Sequence, residues 1–227
     1  MSRTWTVLGW LVPVALGLLL VTTNVRVATG NLELWQSLFE RHKVSPRTAI
    51  APDDLRDVAR QVQDYLFSDT EPLAVSAPVA SVETDLFGPD EASHMHDVKV
   101  VFARTFWLQE AMAVLVALAV AAAWYSRREE LWLTLARWLR RAGVLTVVVI
   151  GTLGVVSLVA FDPLFTLFHQ IGFPQGNWSF PSSAYLVRVF PFGFWRDITL
   201  LIGLATVAEA VVAFIAGRAI LVFAEPS

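Results

Sequence analysis

The sequence predicts an all-α membrane protein with four transmembrane helices, cytoplasmic N and C termini, and an extracellular cap of mixed short helix and extended structure. Composition is the first reason: 56% of the 227 residues are hydrophobic and only 16% are charged, whereas soluble domains carry about 25% charged residues. The second is that the apolar residues form four runs of about 20, the length that spans a bilayer. The third is an arginine-rich connection between two of these runs, which is typical of a cytoplasmic loop.

The four apolar runs are interpreted as transmembrane helices, and they cover residues 4–24, 106–126, 142–161 and 198–217. Two acidic residues fall within them. Glu110 lies near the start of the second run, and Glu209 lies inside the fourth. A carboxylate within a span is a candidate functional group, but the sequence alone does not assign a role to either one.

The orientation of the chain follows from its short connections. Residues 127–141 hold five arginines, so the positive-inside rule predicts that this connection is cytoplasmic. Its apolar side chains share one helical face, which predicts a separate helix lying in the headgroup layer; they are Leu131, Trp132, Leu135, Trp138 and Leu139. The two remaining connections, residues 25–105 and 162–197, are then extracellular.

The first extracellular segment, residues 25–105, combines helical and extended patterns. Apolar residues recur at helical spacing after Pro52, a favourable first-turn residue; they are Leu55, Val58, Ala59, Val62 and Leu66. Residues 73–86 contain alternating β-branched positions and predict short extended structure. From Asp90 onward, the pattern predicts a helix that continues into the second span.

The second extracellular segment is rich in aromatic residues, since residues 161–195 hold 11 of the 27 aromatic side chains. One interpretation is an aromatic belt at the membrane interface. Because the segment is also interrupted by proline and glycine, a second interpretation is a lining for an acyl chain. The sequence leaves both interpretations open.

Several classes of chemistry are absent from the sequence. The chain has no cysteine, which excludes disulfides, thiolate metal sites and a cysteine nucleophile. It has no nucleophile elbow, phosphate-binding loop or zinc-protease motif, and no cofactor is predicted. The net charge is −3 and the chain has no long basic cluster, so its composition does not predict a nucleic-acid partner.

Two histidines are candidate functional groups because each lies about ten residues from a span. Asp97 follows His94 by one helical turn, where a carboxylate fixes the tautomer of an imidazole. His169 lies in an apolar setting that disfavours its charged form. His94 and His96 suggest a metal pair, but alternate residues diverge on a helix, so no metal site is predicted. A metal-dependent lipid hydrolase using these three histidines remains an alternative.

Four strings of residues together resemble one family. They are H-M-x-D-V-K from His94 to Lys99, F-D-x-L-F-x-x-F-H-x-x-x-F from Phe161 to Phe173, W-x-F from Trp178 to Phe180, and F-P-x-x-F-W-x-D from Phe190 to Asp197. With the order of spans and the loop lengths, they resemble the bacterial membrane proteins typified by lipoprotein intramolecular transacylase.

The resemblance implies an enzyme of the bacterial plasma membrane with its active site at the outer leaflet. Members move the sn-2 acyl chain of a diacylglyceryl lipoprotein to the amino group of its N-terminal cysteine, giving the lyso form. Two histidines are catalytic, and they match His94 and His169. With Asp97 nearby, His94 is the expected base and His169 the expected acid. The residues expected to support catalysis or bind substrate are Asp97, Lys99, Phe168, Phe173, Trp178 and Trp195.

The partners implied are the lipoprotein substrate and membrane lipids. A third hypothesis is a non-catalytic membrane module that binds a lipid or a partner protein, because aromatic rings around an apolar groove bind chains without chemistry.

Overall fold

The computed structural model describes residues 3–224, which are mostly helical. The helices are α1 (Arg3–Gly30), α2 (Leu32–Arg41), α3 (Val44–Thr48), α4 (Pro52–Phe67), α5 (Pro89–Ser126), α6 (Leu131–Val159), α7 (Phe161–Gly172), α8 (Tyr185–Val189) and α9 (Phe192–Ala224). A 3₁₀ turn, Arg128–Glu130, precedes α6. One antiparallel hairpin pairs β1 (Ser76–Val79) with β2 (Val82–Asp85).

Within this described part of the chain, α1, α5, α6 and α9 are long and apolar enough to cross a membrane. Three of them contain the predicted spans in full, and α6 contains residues 142–159 of the third, since it ends two residues before the predicted boundary at 161. The four spans are thereby confirmed as membrane-length helices. Helix α5 has 38 residues, or about 57 Å at 1.5 Å per residue. It therefore extends well beyond the roughly 30 Å hydrocarbon core, as the helix predicted from Asp90 onward requires. The sidedness of the termini and of the cap remains a prediction.

The chain forms two compact units. The first consists of residues up to 26, residues 105–158, and residues from 200 onward. Its helices pack through a buried cluster formed by Val12, Ala119, Ala123, Leu131 and Trp138. Small residues allow close helix contact: a Cβ on Gly143 would lie 2.5 Å from the Ala210 carbonyl oxygen and 2.6 Å from the Phe214 Cβ.

The prediction of a separate interfacial helix over residues 127–141 is wrong. Residues from Leu131 onward are the first turns of the unbroken helix α6. The apolar face that suggested a headgroup position is used for helix packing, since Leu131 and Trp138 are buried and Leu135 packs against them. No proline interrupts α6, and Gly143 serves helix contact rather than ending a helix.

Both carboxylates of the predicted spans have polar partners on α1. The Asn24 side-chain amide donates to Glu209 Oε2 at 2.7 Å. Arg26 lies 3.5 Å from Glu110 and also donates to Gln109 at 2.9 Å. Polar pairs between neighbouring helices compensate for taking such groups out of water, so these two acidic residues serve helix association in the first unit.

The second unit consists of residues 27–104 and 159–199. Helix α4 is the amphipathic helix predicted after Pro52, which occupies its first turn, and all five apolar residues of the predicted stripe are buried. The extended structure predicted over residues 73–86 is the β1–β2 hairpin. Its two-residue loop, Ala80–Ser81, has positive φ at both positions, the backbone of the tight turns that suit twisted hairpins.

The first turn of α5 is fixed by one buried carboxylate. Glu91 Oε2 accepts the backbone N–H of Gly88 at 2.9 Å, which is half of a capping box. Its Oε1 accepts the N–H of Leu186, at the start of α8, at 2.7 Å. Glu91 therefore joins the beginnings of two helices, and His94 follows it one turn later along α5.

Candidate active site

The second unit brings together two histidines that are 75 positions apart in the sequence. His94 lies near the start of α5 and His169 lies in the last turn of α7. Their ring centroids are 6.1 Å apart, with the ring planes inclined by only 24°. Both side chains are buried. The two histidines selected from the sequence therefore form one pair.

The protonation of His169 follows from its hydrogen bond. Its Nδ1 lies 2.8 Å from the backbone carbonyl oxygen of Phe165. Because a carbonyl only accepts, Nδ1 carries the hydrogen and donates it, which leaves Nε2 as the free acceptor in the neutral ring. Burial lowers the pKa of His169 below 6.5, and the carbonyl contact opposes this only in part. His169 is thus a neutral imidazole with an available lone pair on Nε2.

His94 has a different environment from His169. Its Nδ1 is buried and has no hydrogen-bond partner anywhere in residues 3–224. Its neighbours are rings instead: Phe173 lies 4.8 Å away edge-on, and Phe180 lies 5.6 Å away. A buried polar atom without a partner costs free energy, and Nδ1 of His94 is such an atom.

Aromatic rings surround the pair and form what we call the histidine-pair cluster, which consists of His94, His169, Phe165, Phe168, Phe173, Trp178 and Phe180. Phe173 contacts both imidazoles and is fully buried. Trp178 lies 5.2 Å from His169, and Phe168, half exposed, lies 5.3 Å from it edge-on. The predicted residues Phe168, Phe173 and Trp178 therefore border the pair, in surroundings that suit an apolar ligand.

Asp97 does not hold His94, contrary to the prediction. Its Oδ2 accepts hydrogen bonds from the side-chain amides of Gln175, at 2.8 Å, and Asn177, at 2.6 Å. Both donors belong to the loop after α7, close to 80 positions away in sequence. Asp97 thereby fastens to α5 the loop that carries Trp178.

Lys99 also lies in another group of side chains. Its ammonium donates to the Thr70 carbonyl oxygen at 2.7 Å, lies 3.2 Å from Glu71, and covers the Tyr65 ring at 4.2 Å. Burial opposes ionisation of Glu71, but hydrogen bonds from His96, Tyr65 and Lys99 outweigh it and lower the carboxyl pKa. Lys99 is therefore committed to an ion pair, which does not support the predicted role in catalysis.

His96 points away from the pair, as expected for a residue two positions along a helix. Its Nδ1 lies 3.0 Å from Glu71. Across residues 3–224, no three histidine, aspartate or glutamate side chains are grouped so that they could hold a metal ion. The geometry gives the metal-dependent alternative no set of ligands.

Comparison with known proteins identifies the family. Residues 10–195 match the family described as lipoprotein intramolecular transacylase Lit. The chain belongs to this family. The match includes both histidines and the aromatic residues of 161–195, so it covers the residues on which the resemblance was based except Asp197.

Solved structures support the same fold for this Lit family member. The membrane-integral lipoprotein intramolecular transacylase Lit from Bacillus cereus matches with a TM-score of 0.82 and 14% identity, over 97% of each chain. Two structures of that protein with one histidine replaced, by alanine or by arginine, match with TM-scores of 0.76. An uncharacterized protein from Aquifex aeolicus is 27% identical over 118 residues. The match covers 52% of this chain and about half the length of that curated relative.

A second group of rings in the same unit was not predicted. The second aromatic cluster consists of Trp35, Phe39, Phe190, Phe194 and Trp195. Trp195 packs here against Phe190 and Phe194, so its predicted place in the substrate site is not supported. Next to this cluster, His42 Nε2 bonds to Asp197 Oδ2 at 3.0 Å. No local signal marked this pair, because its members are 155 positions apart.

Proposed function

We propose that this Lit family member is a membrane acyltransferase that acts on diacylglyceryl lipoproteins. It moves the sn-2 acyl chain to the amino group of the lipoprotein's own N-terminal cysteine and gives the lyso form. The observation that carries the proposal is the pairing of His94 with His169, both buried among aromatic rings. The family supports lipoprotein transacylation in general.

Two proton transfers accompany the reaction. The amine nitrogen attacks the ester carbonyl carbon, an amide bond forms, and the bond from that carbon to the glycerol oxygen breaks. The nitrogen loses one proton and the departing oxygen gains one, so no net proton is consumed. The substrate supplies its own nucleophile, and the protein needs only to position it and to move protons.

The two histidines divide these tasks in the order opposite to the one expected from the sequence. His169 is the base, because its Nδ1–H is engaged with the Phe165 carbonyl and its Nε2 is free to accept a proton from the amine. His94 is the acid: burial lowers its pKa to about 4, so its ring is neutral at rest, and the proton that His169 takes from the amine passes to His94 and from it to the glycerol oxygen. The earlier assignment depended on Asp97 holding His94, and Asp97 is bound to Gln175 and Asn177 instead.

We place the reaction at the outer leaflet of the bacterial plasma membrane. The five arginines of residues 127–141 favour a cytoplasmic position for the turn between α5 and α6. His94 lies near the opposite end of α5 from that turn, and the opposite end of a spanning helix lies on the other side of the membrane.

Replacing either histidine tests the proposal. We expect His94→Ala and His169→Ala each to lower the rate of lyso-lipoprotein formation by about 10²–10⁴-fold, the usual contribution of one general acid or base. The measurement is the mass of the N-terminal lipopeptide from a reporter lipoprotein, expressed in a host that lacks this activity. Thermal unfolding in detergent checks that each variant is folded.

The matched control is His96→Ala, because His96 lies on the same helix two residues from His94 and bonds to Glu71 at the surface. We expect it to retain most of the activity. Normal lyso-lipoprotein formation by a folded His94→Ala or His169→Ala variant would remove that residue from the mechanism. Loss of activity in His96→Ala, together with a stoichiometric metal, would favour the hydrolase alternative.

A further inference from the structure

Helix α7 has an apolar face that the rest of the described chain leaves largely exposed. Leu167, Phe168 and Ile171 are 51%, 52% and 73% exposed, respectively. With the half-buried Leu164, they stand at the i, i+3, i+4, i+7 spacing of one helical face. Exposed apolar faces of this kind mark a contact with a membrane or a partner.

The rest of α7 is arranged around this face. Phe161 and His169 are buried on another side, towards the histidine-pair cluster. Asp162, Thr166 and Gln170 are exposed on the remaining side. The helix therefore has a covered face, a polar face and an apolar face that is largely exposed, which we call the open face.

The connections of α7 indicate what covers the open face. A single residue, Ala160, separates α7 from the end of α6, whose last turns expose Leu158 and Val159. In the second unit, Phe161 lies 5.0 Å from Phe192, the first residue of α9. Helix α7 thus follows directly on one membrane-length helix and contacts the start of another, which favours a position near the bilayer surface.

Charge supports the same position. Between Arg141 and Arg188 the chain has no lysine or arginine, and Asp162 is its only acidic residue. Asp162 belongs to the polar side of α7. Nothing charged has to enter the hydrocarbon if the open face does.

We propose that α7 is an interfacial helix, with Leu164, Leu167, Phe168 and Ile171 inserted among the lipid acyl chains at the bilayer surface. The occupant of the open face is the bilayer itself. In this position His169 lies on the side of α7 adjacent to the lipid-facing side, so an acyl ester reaches its ring without leaving the membrane. The proposal concerns the helix and does not depend on the reaction.

The absence of cysteine from the sequence allows a direct test with single spin labels. We would label Ile171→Cys on the open face and Gln170→Cys on the polar face, with the full-length protein in vesicles of phosphatidylethanolamine and phosphatidylglycerol. Power-saturation EPR measures the access of each label to oxygen, which concentrates in hydrocarbon, and to a water-soluble nickel chelate. We expect at least a threefold higher oxygen-to-nickel accessibility ratio at position 171 than at position 170.

Two results would overturn the proposal. Equal nickel access at both positions would show that the open face is in water. Protection of position 171 from both reagents, with spin–spin broadening between labels, would show that a second copy of the chain covers the face. Because the measurement requires no turnover, its failure is distinct from failure of the proposed acyl transfer, which is followed separately by lipopeptide mass in the same variants.

Discussion

The histidine-pair cluster and the second aromatic cluster are built from similar rings, but they differ in the hydrogen bonding of the histidines beside those rings. In the second aromatic cluster the rings of Trp35, Phe39, Phe190 and Phe194 are all buried. The adjacent His42 is bonded to Asp197, which also lies 3.3 Å from Arg41. In the histidine-pair cluster, Phe168 is half exposed, and His94 Nδ1 has no partner in residues 3–224.

The hydrogen bonding of each imidazole indicates which histidine is structural. An imidazole held by a carboxylate has its hydrogen-bonding capacity used, and its loss is expected to reduce stability. An imidazole among rings, with a nitrogen left free, stabilises the fold little but remains available for proton transfer. The environment distinguishes the two roles, because the residue type is the same.

The largest expected contrast is between two phenylalanines. Phe194→Ala should lower the free energy of unfolding by about 3–5 kcal/mol, because Phe194 is fully buried and its removal leaves a cavity. Phe168→Ala should cost much less stability, since half of this side chain is already exposed, and should instead lower acyl transfer. Denaturant unfolding in detergent and lipopeptide mass measure the two effects. Equal destabilisation by both variants would contradict the difference drawn between the clusters.

A smaller effect is expected from a single methyl group beside His42. A Cβ on Gly193 would lie 2.5 Å from His42 Cε1 and 2.7 Å from its Nδ1. Because Asp197 holds this ring, Gly193→Ala should destabilise the protein by about 1–3 kcal/mol, the usual cost of overpacking.

The matched control is Gly172→Ala at the end of α7, where a Cβ meets nothing within 4 Å. It should leave the melting temperature unchanged or raise it slightly. A Gly193→Ala variant as stable as this control would mean that His42 is not held in place.

The smallest effect concerns pH. Because burial lowers the pKa of His169 below 6.5, the acid limb that His169 sets in kcat/KM should lie below pH 6.5, separate from the limb at about pH 8 that the substrate amine sets. The free energy of unfolding contains a contribution from His169 that is fully present above pH 6.5. This contribution declines as the pH falls from 6.5 to the lowered pKa, because in that range the unfolded chain binds the proton more readily than the folded chain. His169→Gln should reduce the decline in the free energy of unfolding, and the part that remains belongs to His94, whose pKa burial lowers to about 4. A second acid limb above pH 6.5, in addition to the one that the substrate amine sets, would contradict the proposed role of His169.

Local patterns in the sequence predicted the elements that depend on neighbouring residues. The apolar stripe after Pro52 predicted α4, the β-branched residues of 73–86 predicted the hairpin, and the apolar runs predicted the four membrane-length helices. Each of these signals lies within one element, where periodicity reports the buried face directly. The motifs also selected His94 and His169, although their proximity became visible only in the folded chain.

Contacts between distant segments could not be predicted in the same way. Asp97 was assigned to His94 because the two are neighbours on α5, but Gln175 and Asn177 compete for its carboxylate from a loop about 80 positions away. Similarly, the face containing Leu131 and Trp138 looked lipid-facing because its packing partners lie on other helices. The sequence shows that a helical face is apolar, but it does not show which residues or lipids cover that face.

The second unit is discontinuous in sequence, and this has a consequence for synthesis. Residues 27–104 leave the ribosome first, and residues 159–199 follow only after residues 105–158 have been made. At 5–20 residues per second, His169 appears roughly 4–15 s after His94. During that interval Phe173 and Phe180 do not yet exist, and Glu91 has no Leu186 N–H to accept. Residues 27–104 therefore wait, without their packing partners, while α5 and α6 enter the membrane, and the histidine pair forms only after residues 159–199 have been made.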